Sequence, residues 1–97
     1  MKALRFHEAA RSEAKRATVW YAARSLRSAQ RFLDELQVAY SSAANTSQRY
    51  PHYLHGTRRI LLKRFPYFIV FFEWQDEVYI VAVAHGKRRP GYWKGRV

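Results

Sequence analysis

The chain has 97 residues and a mass of 11.6 kDa, and its 26% charged and 48% hydrophobic residues are typical of one folded domain over residues 1–97. A chain this short buries only about 60–65% of its unfolded surface, which excludes an enzyme with a cleft between two domains. Eighteen Lys and Arg against seven Asp and Glu leave a formal charge of +11. This charge predicts a polyanionic partner: nucleic acid, an anionic membrane surface or an acidic protein.

Cysteine is absent, which excludes disulfides, a thiolate nucleophile and Cys-ligated zinc. The first eighteen residues contain no apolar signal region, and the longest apolar run, Val78 to Ala84, is too short to span a bilayer. We therefore expect a cytoplasmic protein that does not enter the membrane.

A short strand is predicted at Ala3 to Phe6, followed by two amphipathic helices. The first begins at Glu8, and Ser25 stands where the N-cap of the second is expected. Apolar positions recur in both at three- and four-residue spacing. They are Ala10, Ala14, Ala17 and Tyr21, then Ala29, Phe32, Leu33, Leu36, Ala39, Tyr40 and Ala43. Because only a few residues separate the helices, they are predicted to form an antiparallel hairpin that ends near Asn45.

After an irregular segment at 48–56, the sequence becomes aromatic, β-branched and alternating. This composition and alternation predict three strands, at Arg58 to Phe65, Tyr67 to Trp74 and Val78 to Ala84. Connections this short join antiparallel neighbours. The expected order is β-α-α-β-β-β, an α+β fold in which the N-terminal strand and the helical hairpin pack on an antiparallel sheet.

Known catalytic signatures are missing: the sequence has no Walker loop, no GxGxxG, no HExxH and no GxSxG. His52 and His55 have the spacing of metal ligands but lack a third ligand nearby, so we interpret them as surface loop residues and predict neither a metal nor another cofactor. The helical carboxylates are interpreted as exposed partners of neighbouring arginines. They are Glu8, Glu13, Asp34 and Glu35.

Basic residues concentrate around the first meander strand and in the tail from His85 to Val97, which has no acidic residue. If the first and last meander strands present their polar faces together, these residues form one basic surface. Two interpretations stay open: a binding surface that breaks no bond, or a metal-independent nuclease in which arginines stabilise the phosphorane and His85 moves a proton. Tyr92 and Trp93 are expected to pack the tail against the sheet, and His85 is expected to serve as a structural hydrogen-bonding residue.

The candidate residues follow from these two interpretations. The target-binding set is Arg58, Arg59, Lys63, Arg64, Lys87, Arg88, Arg89, Tyr92 and Trp93. If the chain is a ribonuclease, the catalytic set is Arg59, His85, Arg88, Arg89 and Tyr92.

Three tracts, GTRR at 56–59, RFPY at 64–67 and VAHGKRRPGYW at 83–93, together with the element order resemble the RelE/ParE superfamily of type II toxin-antitoxin toxins. The resemblance implies a small bacterial toxin held inactive in a hetero-oligomer by a cognate acidic antitoxin, whose C-terminal segment wraps the helical hairpin and sheet. The antitoxin contacts expected on that basis are Phe32, Leu36, Tyr40, Phe68 and Phe71.

Within the superfamily, RelE-like members cleave mRNA in the ribosome, whereas ParE-like members inhibit DNA gyrase and are not known to cleave RNA. The RelE-like site uses an arginine on the middle meander strand, where this chain has Phe68, and losing that cation weakens phosphate stabilisation. The resemblance therefore favours a ParE-like gyrase inhibitor. A ribosome-dependent mRNA endoribonuclease is the alternative, since some RelE relatives use a late histidine and tyrosine. A non-toxic basic RNA-binding module is the third, disfavoured because the aromatic-glycine RNA motif is missing.

Overall fold

The structure, a computed structural model, describes all 97 residues and confirms the predicted α+β fold and element order. The elements are β1 (Ala3–Phe6), α1 (Glu8–Ala22), α2 (Leu26–Thr46), β2 (Arg58–Leu61), β3 (Tyr67–Trp74) and β4 (Glu77–His85). Single turns of 3-10 helix lie at Ser47–Arg49, Leu54–Gly56 and Lys94–Arg96. Neither α-helix has the length and apolar character needed to cross a membrane.

The helices begin at side-chain caps. The ring Nδ1 of His7 accepts the Ala9 N–H at the start of α1, and the Ser25 hydroxyl oxygen accepts the Ser28 N–H at 3.2 Å at the start of α2, as predicted. The apolar stripe of α2 is buried except for Leu33, which lies at its margin and is 38% exposed.

The four strands form one sheet in the order β1-β4-β3-β2. The three meander strands are antiparallel, but β1 pairs with β4 in parallel, so the sheet is mixed. Because β3 lies between β2 and β4, the basic residues of β2 and of the tail do not meet through neighbouring strands. The single basic surface expected from the sequence therefore requires side chains that reach across β3.

Strand β2 is shorter than predicted, because it ends at Leu61 and not at Phe65. The chain turns away there, and the Glu35 carboxylate on α2 accepts the backbone N–H groups of Lys63 and Arg64 at 2.7 and 3.3 Å. The next hairpin is tight, with positive φ at both Gln75 and Asp76, the backbone of a two-residue type I′ connection.

Each face of the sheet carries its own cluster of buried side chains. The helical hairpin covers one face, here called the helix face, over a core that includes Phe32, Phe71 and Ile80. The opposite face, here called the tail face, has a smaller cluster of Val70, Val81, Ala82 and Trp93. A bulge lies within the tail-face cluster: Val70 pairs with Ala82 and Phe71 with Ile80, which leaves Val81 as an extra residue turned to the tail face.

Candidate functional site

A buried carboxylate joins helix α1 to the C-terminal tail. The side chain of Glu13 is only 5% exposed. Its Oε1 accepts the Val83 N–H at 3.0 Å and an Arg96 guanidinium N–H at 2.8 Å. Its Oε2 accepts the Tyr92 hydroxyl at 2.6 Å and the second Arg96 nitrogen at 3.1 Å. The expectation that Glu13 forms an exposed helix pair is therefore wrong, because this carboxylate faces the sheet.

The position of this cluster follows from the length of β1. Strand β1 pairs with β4 only as far as Ile80, so the outer edge of β4 has unpaired backbone groups beyond that residue. Arg96 donates to the Val81 carbonyl at 3.1 Å, and Glu13 accepts from Val83. The side chains of Arg96 and Glu13 thus supply hydrogen-bond partners to the free edge of β4, and they hold the tail against it.

Tyr92 is the centre of the tail contact. Burial, with the hydrogen bond to Glu13 as a second cause, raises the pKa of its phenol above the ordinary value of 10.0. The Arg88 guanidinium lies over its ring at 3.7 Å, and one Arg88 nitrogen is 3.5 Å from Glu13 Oε2. The phenol is therefore held protonated and pointed into the protein, and its hydroxyl hydrogen is already donated.

Trp93 is 1% exposed and fills the tail face of the sheet. It packs against Val70, Val81 and Ala82, and its ring centroid lies 6.0 Å from that of Tyr53. Assigning Trp93 to a target-binding surface is wrong, because no partner reaches a side chain buried to this extent. The expectation that the tail packs against the sheet is the one that the structure supports.

Arg59 extends the tail-face aromatic cluster toward β2. Its guanidinium lies 4.2 Å from the ring centroid of Tyr53 and 5.1 Å from that of Phe68. Phe68 therefore packs beneath the Arg59 guanidinium. This contact joins a cation to two aromatic rings, and it contains no side chain of the kind that serves as a general acid or base near neutral pH.

The five residues proposed for ribonuclease catalysis do not all converge: His85 and Arg88 line one cleft and Arg88 covers Tyr92, but Arg59 lies apart from them. Arg59 is opposite Val70 on the tail face, whereas His85 is opposite Tyr67 on the helix face, with ring centroids 5.0 Å apart. Residues directly opposite in an antiparallel pair share a face, so Arg59 and His85 lie on different sides of the sheet. Tyr92 is engaged by Glu13, and Arg89 is exposed in the loop after β4 without an ion-pair partner.

The remaining predicted cations differ in accessibility. Arg58 is half-buried and donates to the Tyr50 carbonyl and, at 3.3 Å, to Gln48, so its charge is directed inward. Lys63, Arg64 and Lys87 are exposed and lie in turns, where their side chains make no ion pair.

Four of the five expected antitoxin contacts are buried inside this chain, so that expectation is wrong for them. Phe32, Leu36, Tyr40 and Phe71 have exposures of 0 to 9% and form the core between hairpin and sheet. Burial also raises the pKa of Tyr40 to about 12. Only Phe68 is half-buried on the tail face. Periodicity identifies the apolar side of a helix, and that side faces the protein's own sheet before it faces a partner.

The histidine pair is not arranged as a metal site. His52 forms an isolated bridge with Arg58, and His55 adopts a left-handed φ of 58° with its ring 5.7 Å from that of Trp93. No group of three or more His, Asp or Glu side chains that could hold a metal ion occurs in the structure.

The residues that pattern reading missed are Glu13 and Arg96. A signal for Glu13 was present, because it falls at i+3 between Ala10 and Ala17, on the buried stripe of α1. A carboxylate on an apolar stripe requires a buried partner. Arg96 had no local signal, since it lies in a tail without regular period.

Comparisons with known proteins agree with this fold. A protein-family model described as the ParE toxin of the type II toxin-antitoxin system parDE matches residues 4–90, from β1 into the tail. The fold is similar to that of a solved chain of a chromosomal ParDE toxin-antitoxin system from P. aeruginosa, with a TM-score of 0.73 and 16% identity, over 88% of this chain and 96% of that one. No curated protein sequence matches significantly. The family match covers most of the sequence, and the chain belongs to the ParE toxin family of type II toxin-antitoxin systems.

Proposed function

We propose that this toxin inhibits DNA gyrase through a protein surface, without catalysis of its own, and that a cognate acidic antitoxin neutralises it. The observation that carries the proposal is the separation of Arg59 from His85, together with the engagement of the Tyr92 hydroxyl. Arg59 lies on the tail face, His85 on the helix face, and the Tyr92 hydroxyl is donated to Glu13. General acid-base cleavage requires these groups within hydrogen-bond reach of one phosphate.

The charge distribution supports an acidic partner. Of the seven carboxylates, several are occupied within the chain: Glu13 by Arg96, Glu73 by Lys2 and Glu77 by Arg5, while Glu35 accepts backbone N–H groups. In the loop after β4, Lys87 and Arg89 have no such partner. The surface that a partner meets is therefore strongly basic, which steers an acidic antitoxin into contact.

Within this proposal, residues 1–97 act as one toxin domain in the cytoplasm, where gyrase acts. The exposed cations of the β4 loop, Lys87 and Arg89, and of the β2 turn, Lys63 and Arg64, provide the target contacts. Arg88 contributes less to binding and more to holding Tyr92, because its guanidinium is already packed over that ring.

A supercoiling assay with purified gyrase tests the proposal. We expect the toxin to block supercoiling, and the double variant Lys87→Gln/Arg89→Gln to block it more weakly. The matched control, Arg27→Gln/Arg31→Gln, removes the same charge from exposed positions on α2 and is expected to keep the inhibition.

The same preparation is then incubated with ribosomes and mRNA, and the products are mapped by primer extension. Specific cuts in ribosome-bound mRNA, with supercoiling untouched, would overturn the gyrase proposal in favour of the endoribonuclease. Absence of both activities, together with normal growth on expression, would show that this chain does not act as a toxin.

A further inference from the structure

A cleft of about 440 Å³ opens on the helix face between α1 and the ends of β3 and β4. This volume lies in the range of about 300–1,000 Å³ that is typical of sites for small ligands. One wall is aromatic and consists of Trp20, Tyr21 and Tyr67. The groups at the mouth that donate hydrogen bonds are Arg16, His85 and Arg88.

The cleft has an excess of positive charge. Glu13 contributes the one carboxylate that lines it, and that carboxylate is already neutralised by the two-nitrogen contact with Arg96. Arg88 is a more distant partner at 3.5 Å, and its side chain is 50% exposed. Arg16 is exposed and makes no ion pair or side-chain hydrogen bond in the structure. Arg16 is thus available to an anion, whereas Arg88, already packed over Tyr92, offers only the exposed half of its side chain.

A backbone hydrogen bond determines which ring nitrogen of neutral His85 carries the proton. Its Nδ1 accepts the Lys87 N–H at 3.0 Å, so in the neutral imidazole the proton is on Nε2, which becomes a donor. The ring is packed edge to face on Tyr67 at 5.0 Å, which fixes its orientation. A third donor is therefore held at the cleft beside the two arginines.

The aromatic wall is partly open to solvent. Trp20 is 52% exposed, and Arg24 covers its ring from one side at 3.5 Å. A planar ligand that stacks on this wall would complete its burial, since a base and an aromatic ring stack with little dependence on base identity. Guanidinium forks match phosphate oxygens in charge and in geometry.

We propose that this cleft binds a nucleotide, with its phosphate against Arg16, Arg88 and His85 and its base against the aromatic wall. An aspartate or glutamate from a partner protein would satisfy the cations but leave most of the wall and volume unfilled. The inference goes beyond gyrase inhibition and concerns binding without cleavage. The nucleotide can reach the cleft in two forms, as a free nucleotide or as an unpaired nucleotide within a single strand.

The experiment is an NMR titration of the full chain with thymidine 5′-monophosphate, thymidine and inorganic phosphate, each alone. We expect the monophosphate to shift backbone amides around the cleft, near Trp20, Tyr67 and His85. Thymidine and phosphate each lack one half of the recognised chemistry, so each is expected to bind about tenfold more weakly or worse.

Two matched pairs of variants locate the site. Arg16→Gln and Trp20→Leu change residues that line the cleft, and each is expected to weaken binding of the monophosphate about tenfold. Lys15→Gln and Val19→Ala change their exposed sequence neighbours, which do not line it, and are expected to leave binding unchanged. Equal losses in Lys15→Gln and Arg16→Gln would overturn the proposal in favour of diffuse charge attraction.

The last arm identifies the source of the ligand. A ten-residue thymidine oligonucleotide that binds more tightly than the monophosphate, with the same loss in Arg16→Gln, assigns the site to a single strand. Equal affinity assigns it to a free nucleotide. If N-acetyl-glutamate displaces the monophosphate at equal concentration, the cleft recognises carboxylates and the nucleotide proposal is wrong. A titration in which the monophosphate causes no shifts contradicts the nucleotide proposal alone. The gyrase proposal is independent of that result, because the supercoiling assay measures a separate event.

Discussion

The Tyr92 hydroxyl donates to the Glu13 carboxylate at 2.6 Å across 79 positions of the chain. This bond connects the first helix to the tail and, with Arg96, closes the edge of β4 that β1 leaves open. The loop that bears Lys87, Arg88 and Arg89 lies between β4 and this attachment point. Its geometry therefore depends on a residue more than seventy positions away.

Replacing Glu13 with Gln is expected to destabilise the fold by about 3 kcal/mol, because Arg96 loses the only carboxylate that compensates its largely buried guanidinium. Urea denaturation of the variant measures the loss. Glu8→Gln is the control, since Glu8 is exposed on the same helix and its replacement should cost less than about 0.5 kcal/mol. Equal stability of the two variants would contradict the role of Glu13.

Tyr92 predicts a specific loss of stability at high pH. Its folded pKa is raised by burial and by Glu13, whereas the unfolded phenol ionises near 10.0. The unfolded chain therefore releases this proton first, so the stabilisation is complete below pH 10.0 and is lost as pH rises through the folded pKa. Urea denaturation at pH 9 and above pH 10.0 should show a smaller decline in Tyr92→Phe than in the wild type. An identical decline would argue against the protonated hydrogen bond.

Removal of the Trp93 side chain is expected to leave a cavity on the tail face. Trp93→Ala should cost about 3–5 kcal/mol, since the side chain is fully buried among Val70, Val81 and Ala82. The milder Trp93→Phe variant allows a spectroscopic test. Trp20 and Trp74 are 52 and 60% exposed, so acrylamide should quench the remaining fluorescence more completely than in the wild type. Unchanged quenching would mean that Trp93 is exposed.

The Ser25 cap predicts a smaller and local effect. Ser25→Ala removes the hydroxyl oxygen that accepts the Ser28 N–H at the start of α2 and is expected to cost about 1 kcal/mol. Ser12→Ala, an exposed change within α1, serves as the comparison and should be neutral or slightly stabilising. Thermal unfolding followed by circular dichroism distinguishes the two, and a cost for Ser12→Ala as large as that for Ser25→Ala would refute the cap.

Local patterns predicted the elements well but their contacts poorly. The Ser25 cap and the bounds of β3 agree with the structure because caps and strand alternation depend on neighbours in sequence. The predicted end of β2 at Phe65 is wrong, because the Glu35 carboxylate, distant in sequence, accepts the N–H groups of Lys63 and Arg64. Phe32, which the resemblance implies is an antitoxin contact, is buried against this chain's own sheet, because an apolar stripe indicates burial but not the surface that covers it.

The order of helices and strands, the strongly basic character and the family are predictable from the residues alone, since periodicity, turn residues and short ordered tracts are local information. Which polar groups meet depends instead on the tertiary fold. Arg59 and His85 fall on opposite faces because their pairing partners, Val70 and Tyr67, are an odd number of residues apart on β3. Glu13 joins Tyr92 and Arg96 because a short β1 leaves buried backbone groups that need partners.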